Sequence, residues 1–141
     1  MSEPVAIIMI EDDVGHAKLI EKNIRRANIN NEIRHFTDGG SAIEHMFAPE
    51  IRNNGPLMVL LDLNLPDMQG TDILAKLKAD EKLHRVPVVV LTTTDDKVEI
   101  QRCYDLGCNV YITKPVDYEA FSAAIKQLGM FLSVMQVPVV D

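Results

Sequence analysis

Short runs of consecutive apolar residues recur along this chain, and a stretch with helical spacing follows each of them. The three fullest runs are Ala6–Ile10, Leu57–Leu61 and residues 86–91, and weaker strand candidates lie at residues 32–37 and Val110–Thr113. Strands that are apolar on both faces are typical of a parallel sheet that helices cover on both sides. The repeated order of strand and helix, five times over, therefore predicts an α/β protein with a doubly wound (βα)5 fold.

Local signals predict where several helices begin and end. Ser41 is the expected cap of a short helix before residue 48, and Thr71 is the expected cap of a helix after the second full apolar run. The stretch "APEIRNNGP" between these helices is typical of a polar loop. Gly107 is expected to end the helix Lys97–Leu106 in a left-handed conformation.

Length and charge limit the classes of protein to which this chain can belong. Its 141 residues predict one domain that spans residues 1–141. The 14 basic and 21 acidic residues give a net charge of −7, which argues against a nucleic-acid binder because phosphate recognition needs a basic surface. The first apolar run is too short for a signal peptide or a membrane span, so we expect a cytoplasmic protein with no membrane partner.

Cysteine and histidine residues show no spacing typical of a metal site. Cys103 and Cys108 have no cysteine or histidine partner at the spacing of a zinc site, so we expect two free thiols. The four histidines are scattered along the chain, and we expect them to have only surface roles: His16, His35, His45 and His84.

Polar residues follow the predicted strands at the points where those strands end. Glu11 and Asp12 come after the first strand, Asp62 after the third, Thr92 after the fourth and Lys114 after the fifth. In a doubly wound sheet the carboxyl ends of the strands meet at one edge, where ligands bind. Crowded carboxylates are stable only when a cation offsets their repulsion, and oxygen ligands with open positions suit Mg²⁺. A lysine and a threonine hydroxyl beside them would allow the site to hold a phosphoryl group on one carboxylate.

Four segments in this order resemble the receiver domain of two-component response regulators: "IEDD", "LLDLNLPDMQG", "VLTTT" and "YITKP". The resemblance covers about residues 6–129. It implies a flavodoxin-like fold whose five-stranded parallel sheet has the order 2-1-3-4-5. It also implies a signalling switch rather than an enzyme, which accepts a phosphoryl group from a histidine kinase and assists its own phosphoryl transfer and dephosphorylation.

The resemblance also implies roles for the acidic residues. Asp62 matches the aspartate that accepts the phosphoryl group. Asp12 matches a direct ligand of Mg²⁺, together with Asp62, and Glu11 is expected to act on the metal through water. Asn64 would give its backbone carbonyl to the metal. Asp13 falls one position past the acidic pair and is expected to lie outside the metal's ligands.

The remaining segments of the resemblance imply roles at the phosphoryl group. Thr92 matches the switch hydroxyl, and the backbone N–H of Thr93 would contact a phosphoryl oxygen. Lys114 matches the lysine that pairs with the phosphoryl group, and its bond to Pro115 would be the cis peptide usual in the family. Tyr111 matches the aromatic switch that turns inward on activation.

The end of the chain predicts a protein contact. Residues 128–140 are apolar on all sides, as expected of a helix that is buried beyond its own domain, so residues 129–141 read as a tail that extends the fifth helix. Few residues remain after that helix, so we expect the output to be a surface of the receiver itself. We expect a homodimer through the fourth helix, the fifth strand and the extended fifth helix, or else a tail that folds back on its own sheet. The tail side chains expected in the dimer contact are Phe131, Leu132, Met135 and Val137.

The same tail and the long loop "FAPEIRNNGPLMVLLD" are similar to single-domain response regulators that serve phytochrome-type histidine kinases. This resemblance implies a light-linked kinase as the partner. Three other functions remain open: a phosphorelay carrier, a dimeric scaffold that no longer uses phosphate, and a flavodoxin-like cofactor binder. The cofactor binder is disfavoured because flavin phosphate sites on this fold need a Ser/Thr/Gly-rich loop where this chain has Glu11 and Asp12.

Overall fold

Five parallel strands form one sheet at the centre of the molecule. The computed structural model describes residues 5–52, 56–115 and 117–134. The sheet order is β2-β1-β3-β4-β5, which confirms the predicted α/β fold and its flavodoxin-like strand order. The strands are β1 Ala6–Ile10, β2 Ile33–Phe36, β3 Leu57–Leu61, β4 Val88–Thr92 and β5 Val110–Thr113.

The register of the sheet brings the strand ends to one edge. β1, β3 and β4 lie at the centre and every one of their residues is buried, whereas the edge strands β2 and β5 are only partly buried. Ile10 is paired with Leu61, and Leu61 with Val90. The residues that follow β1 and β3 therefore emerge side by side, with the end of β4 next to them.

Helices cover both faces of the sheet. One core cluster packs α1 and α6 against one face, and the other cluster packs α2, α4 and α5 against the opposite face. The predicted fourth and fifth helices are α5 and α6, because a short helix, α3, precedes β3. The helices are α1 Val14–Arg26, α2 Gly39–Phe47, α3 Pro49–Arg52, α4 Gly70–Ala79, α5 Lys97–Leu106 and α6 Tyr118–Val134, with a 3₁₀ turn at Leu83–Arg85.

Two predicted helix caps are wrong. α2 begins at Gly39, and the Asp38 carboxylate accepts the hydrogen bond of the Ser41 N–H at 2.7 Å, so Ser41 lies inside the helix. Thr71 also lies inside its helix, because α4 begins at Gly70, whose N–H is already bonded to the Leu63 carbonyl at 2.8 Å. In both cases the acceptor for an N–H group at the start of the helix belongs to a residue that precedes the predicted cap in the chain: Asp38 for α2 and Leu63 for α4.

Other local predictions have mixed outcomes. Gly107 has a φ of 107° and ends α5 in the left-handed conformation, as predicted. The "APEIRNNGP" stretch is not all loop, because α3 starts at Pro49, and proline is compatible with the first position of a helix. Cys103 and Cys108 are buried free thiols, as predicted. Among the residues that the structure describes, no helix has the length and apolarity needed to cross a bilayer.

The predicted tail contact lies largely outside the described part of the chain. α6 extends to Val134, and Phe121, Ile125 and Leu128 bury its first half against the sheet. Met135 and Val137 are outside the described residues, and so are the side chains of Phe131 and Leu132.

Candidate functional site

Three carboxylates meet where β1 and β3 end. Oxygen atoms of Glu11, Asp12 and Asp62 all lie within 4.8 Å of one another. Backbone hydrogen bonds set this geometry, because the Glu11 N–H donates to Phe36 of β2 at 2.9 Å and the Asp62 N–H donates to Ile10 of β1 at 3.0 Å. Glu11 and Asp62 are buried, whereas Asp12 is exposed. The cluster is thus open to solvent on the side of Asp12.

Asp13 lies outside this cluster, as predicted. Its carboxylate accepts the hydrogen bond of the His16 N–H at 3.0 Å and caps the start of α1. This hydrogen bond is the first cause that holds the pKa of Asp13 below its usual range.

The Asp62 carboxylate is fixed by three groups. The Thr92 hydroxyl, which is fully buried, donates to Oδ1 of Asp62 at 2.8 Å, and the Asn64 N–H donates to the same oxygen at 3.2 Å. The other oxygen, Oδ2, lies 3.3 Å from Nζ of Lys114. One oxygen therefore has two neutral donors, and the other faces a cation.

Lys114 places a buried ammonium between two carboxylates. Its Nζ donates to Glu11 Oε1 as well as to Asp62 Oδ2, and its backbone N–H donates to the Thr92 carbonyl at 2.6 Å. Burial raises the pKa of Glu11 to about 7, and the hydrogen bond from Lys114 opposes this shift. Burial disfavours the charged form of Glu11, and the Lys114 ammonium favours it.

Polar contacts lead from the site to Tyr111. The Asn64 amide donates to Thr94 Oγ1 at 3.2 Å, and the Tyr111 hydroxyl donates to the Thr94 carbonyl at 2.6 Å. The Tyr104 hydroxyl accepts the Tyr111 N–H of β5 at 3.1 Å, and burial raises the pKa of Tyr111 to about 12. Thr93 lies exposed between Thr92 and Thr94. A short series of hydrogen bonds thus connects Asp62, through Asn64 and Thr94, to Tyr111.

The loop after Asp62 is held at its middle and at its end. At its middle, the Asp67 carboxylate accepts the N–H groups of Gly39 and Gly40 at 2.9 and 2.8 Å, and these two bonds hold the pKa of Asp67 below its usual range. At its end, a Cβ on Gly70 would lie only 2.5 Å from the Asp62 carbonyl oxygen. α4 therefore begins directly against the backbone of Asp62, and only glycine fits there.

The prediction of a cis peptide at Pro115 is wrong. The bond from Lys114 to Pro115 is trans, since the described residues contain no cis peptide bond. The trans form is the more stable form of an X–Pro bond by about 0.5–1 kcal/mol, so the dipeptide by itself does not require the cis form.

Two histidines, expected from the sequence to have only surface roles, contact residues of the site, although both keep some exposed surface. Nε2 of His35 lies 2.7 Å from the Glu11 carbonyl oxygen, and Nδ1 of His16 lies 3.3 Å from Nζ of Lys114. The signal for His16 was its place in the first turn of α1, three residues after Asp13. Its partner Lys114 is 98 residues away, however, and no pattern in the sequence joins the two.

The donor set suits a hard divalent cation. Three carboxylates supply oxygen ligands, and the exposed position of Asp12 leaves room for the waters that Mg²⁺ retains. Thr92 adds a hydroxyl and Lys114 a positive charge beside the carboxylate of Asp62. Such an arrangement can neutralise the charge on a phosphoryl group that approaches Asp62.

Comparisons with known proteins agree with this geometry. Residues 7–126 match the response regulator receiver domain family. The crystal structure of a response regulator receiver domain from Rhodospirillum rubrum is 61% identical, with a TM-score of 0.93 over 96% of this chain and 99% of that one. The phosphorylated cyanobacterial phytochrome response regulator RcpA is 32% identical, with a TM-score of 0.86 over the same shares of the two chains.

A third relative is response regulator Rcp1 of Synechocystis sp. It is 34% identical over 113 residues, which are 79% of this chain and 77% of Rcp1. Its Mn²⁺-bound crystal structure has a TM-score of 0.86 over 96% of this chain and 99% of that one. The strand ends, the acidic cluster with its lysine and threonine, and these matches lead to one conclusion: the chain belongs to the response regulator receiver domain family.

Proposed function

We propose that this protein is a response regulator that accepts a phosphoryl group from a histidine kinase onto Asp62. The observation that carries the proposal is the environment of the Asp62 carboxylate. One of its oxygens accepts hydrogen bonds from Thr92 and Asn64, and the other lies 3.3 Å from the Lys114 ammonium. A carboxylate so held is oriented for attack and lies beside a positive charge.

The transfer reaction follows from this environment. An Asp62 oxygen attacks the phosphorus of a phosphohistidine, so that an O–P bond forms as the P–N bond breaks. The electron pair of the P–N bond returns to the imidazole nitrogen of the kinase. Lys114 then pairs with the phosphoryl oxygens, and the Thr92 hydroxyl and the Thr93 N–H donate to them. In the separate dephosphorylation step, a water oxygen attacks the phosphorus as the O–P bond to Asp62 breaks. The electron pair of that bond returns to the Asp62 carboxylate, the water loses its proton to solvent, and inorganic phosphate leaves.

Magnesium is the proposed cofactor. Asp12 and Asp62 would be its direct carboxylate ligands, Glu11 would act through water and Asn64 would contribute its carbonyl. When bound, the ion supplies positive charge to the phosphoryl oxygens. The acidic cluster supports this assignment, as does the Mn²⁺-bound structure of Rcp1.

The output of the switch is proposed to be a protein-binding surface. The contacts from Asn64 through Thr94 to Tyr111 support a link between Asp62 and the face formed by α5, β5 and α6. We propose that this face serves a homodimer. We further propose a phytochrome-type kinase as the partner, an assignment supported by the similarity to RcpA.

Replacing Asp62 tests the proposal. The Asp62→Asn variant should gain no phosphate from a phosphorylated histidine kinase in the presence of Mg²⁺, because the amide is not a nucleophile, and its fold should persist because asparagine has nearly the same shape. The matched control is Asp13→Asn, since asparagine also caps helices well and Asp13 lies outside the cluster. The readout is acid-stable and base-labile radioactive label on the protein.

Three outcomes would contradict the proposal. Label on Asp62→Asn would show that another residue is the acceptor. Loss of label in the Asp13→Asn control, which keeps Asp62, would mean that loss of label in Asp62→Asn does not identify Asp62 as the acceptor. If beryllofluoride with Mg²⁺ leaves the amide spectrum of the unmodified protein unchanged, a phosphate-independent scaffold is the better description.

A further inference from the structure

The Lys114 ammonium has a third partner that the proposed chemistry does not use. An ammonium group carries three N–H donors and no acceptor. Nζ of Lys114 contacts three acceptor atoms: Glu11 Oε1, Asp62 Oδ2 at 3.3 Å and His16 Nδ1 at 3.3 Å. The contacts to the two carboxylates come from strand ends, whereas His16 belongs to α1. The three donors of a side chain that is only 2% exposed are thus matched by three acceptors.

The contact with Lys114 requires an acceptor atom on the His16 ring. Because lysine can only donate, Nδ1 of His16 must present its lone pair to Lys114, and the ring proton is then on Nε2. Nδ1 also lies 3.6 Å from Asp13 Oδ2, which is beyond hydrogen-bond distance. His16 therefore faces Lys114 through the acceptor atom Nδ1, with Asp13 and Lys114 on its two sides.

Two further contacts fix the position of the His16 ring. Its backbone N–H is bonded to the carboxylate of Asp13, which caps α1. Its ring packs against Phe121 of α6 with the ring centroids 5.6 Å apart. The side chain is 41% exposed, so these contacts, rather than burial, hold it in place.

We propose that His16 is a positioning residue that holds the Lys114 ammonium in place for phosphoryl transfer to Asp62. The two carboxylate partners change during the reaction, because Asp62 gains the phosphoryl group and Glu11 belongs to the metal cluster. His16 lies on α1, outside the carboxylate cluster, so its hydrogen bond to Lys114 persists while the other two contacts rearrange. The inference rests on the proposed function, and it adds a residue of α1 to the site.

The test compares two substitutions of His16. Asn Oδ1 can occupy the place of His Nδ1, so His16→Asn keeps the acceptor, and His16→Ala removes it. Acetyl phosphate, a small acyl phosphate that donates its phosphoryl group directly, replaces the kinase. We expect the phosphorylation rate at saturating Mg²⁺ to fall about tenfold in His16→Ala, which corresponds to about 1.4 kcal/mol, and to recover in His16→Asn. The Mg²⁺ concentration at half-maximal rate should be unchanged. Lys18→Ala, an exposed change on α1, is the control.

A second measurement observes the contact without any phosphoryl donor. The ¹⁵Nζ resonance of Lys114 should be similar in the unmodified protein and in His16→Asn, and should shift or broaden in His16→Ala. An unchanged resonance in His16→Ala would overturn the inference, as would an unchanged rate. Equal losses in both variants with an altered Mg²⁺ requirement would also overturn it, because they indicate a purely structural role. A protein that takes up no phosphate at all would refute the proposed function, and the resonance would still decide the role of His16.

Discussion

The three carboxylates of the site differ in burial and in their contact with the Lys114 ammonium. Glu11 and Asp62 are buried and share Lys114, whereas Asp12 is exposed and the structure records no hydrogen bond from that lysine to it. Removing one member of a buried ion pair leaves an unpaired charge in the interior, which is costly. Removal of the Lys114 ammonium alone should therefore destabilise the fold even without metal. Asp12, as the exposed member of the cluster, is the carboxylate most available to a metal ion from solvent.

This difference predicts separate effects for the neighbours Asp12 and Asp13. Mg²⁺ that binds only the folded state should stabilise the protein by about 1.4 kcal/mol at tenfold its Kd. Asp12→Ala should abolish this increment and slightly raise the stability without metal, because one of the repelling charges is gone. Asp13→Ala should lower the stability through loss of the α1 cap but keep the increment. Thermal unfolding with and without Mg²⁺ measures both effects, and an unchanged increment in Asp12→Ala would mean that the metal binds elsewhere.

At the scale of elements, the loop between β3 and α4 is attached to α2. Asp67 accepts two N–H groups from the first turn of α2, and α4 starts against the backbone of Asp62. These attachments hold the loop that carries Asn64. The chain that follows Asp62 is thus held by α2 at Asp67 and by the start of α4 at Gly70.

The Asp67 attachment predicts a dependence of stability on pH. Hydrogen bonds from the N–H groups of Gly39 and Gly40 lower the pKa of Asp67 in the folded protein. The charged carboxylate of Asp67 is therefore more stable in the folded state than in the unfolded state. The stability that Asp67 contributes is complete above its unfolded pKa, near 3.9, and is lost as the pH falls through its lower folded pKa. The free energy of unfolding of the unmodified protein should exceed that of Asp67→Asn at pH 7, and the difference should shrink below about pH 4.

Urea denaturation at several pH values measures this difference. Asp72→Asn, an exposed change on α4, controls for the loss of one surface charge. A difference that stayed constant down to pH 3 would show that the attachment does not depend on the charge of Asp67.

The sequence predicted the elements of this fold better than their ends. The central strands are continuous apolar runs, and this pattern follows directly from burial on both faces. The cap at Ser41 was wrong because the Asp38 carboxylate, three residues earlier, caps α2 instead. The cap at Thr71 was wrong because α4 starts one residue earlier, at Gly70, whose N–H is bonded to the backbone carbonyl of Leu63. The strand-end residues of the site were predictable, since parallel strands end at one edge. The contacts of His16 and His35 were not, because they depend on how α1 and β2 pack beside distant segments.

At the scale of the whole molecule, the two faces of the sheet have different relations to the site. The face covered by α1 and α6 includes Phe121, Ile125 and Leu128, and Phe121 contacts His16 beside Lys114. The other face includes α5, whose Tyr104 holds the backbone of Tyr111. α6 is thus close to the site at its start, and its last residues, up to Val134, are the first part of the predicted tail.

Truncation of the chain before Gly129 removes the predicted tail. Phe121, Ile125 and Leu128 already bury α6 against its own sheet, so removal of residues 129–141 should leave the receiver folded and still phosphorylated at Asp62. If the tail forms the proposed dimer, the truncated protein should be a monomer, because the loss of three buried apolar side chains removes about 1.5–3 kcal/mol each before association costs. Sedimentation velocity at micromolar concentration distinguishes the two states. A truncated protein that still dimerised would assign the contact to α5 and β5 instead, and would leave the tail to pack on its own domain.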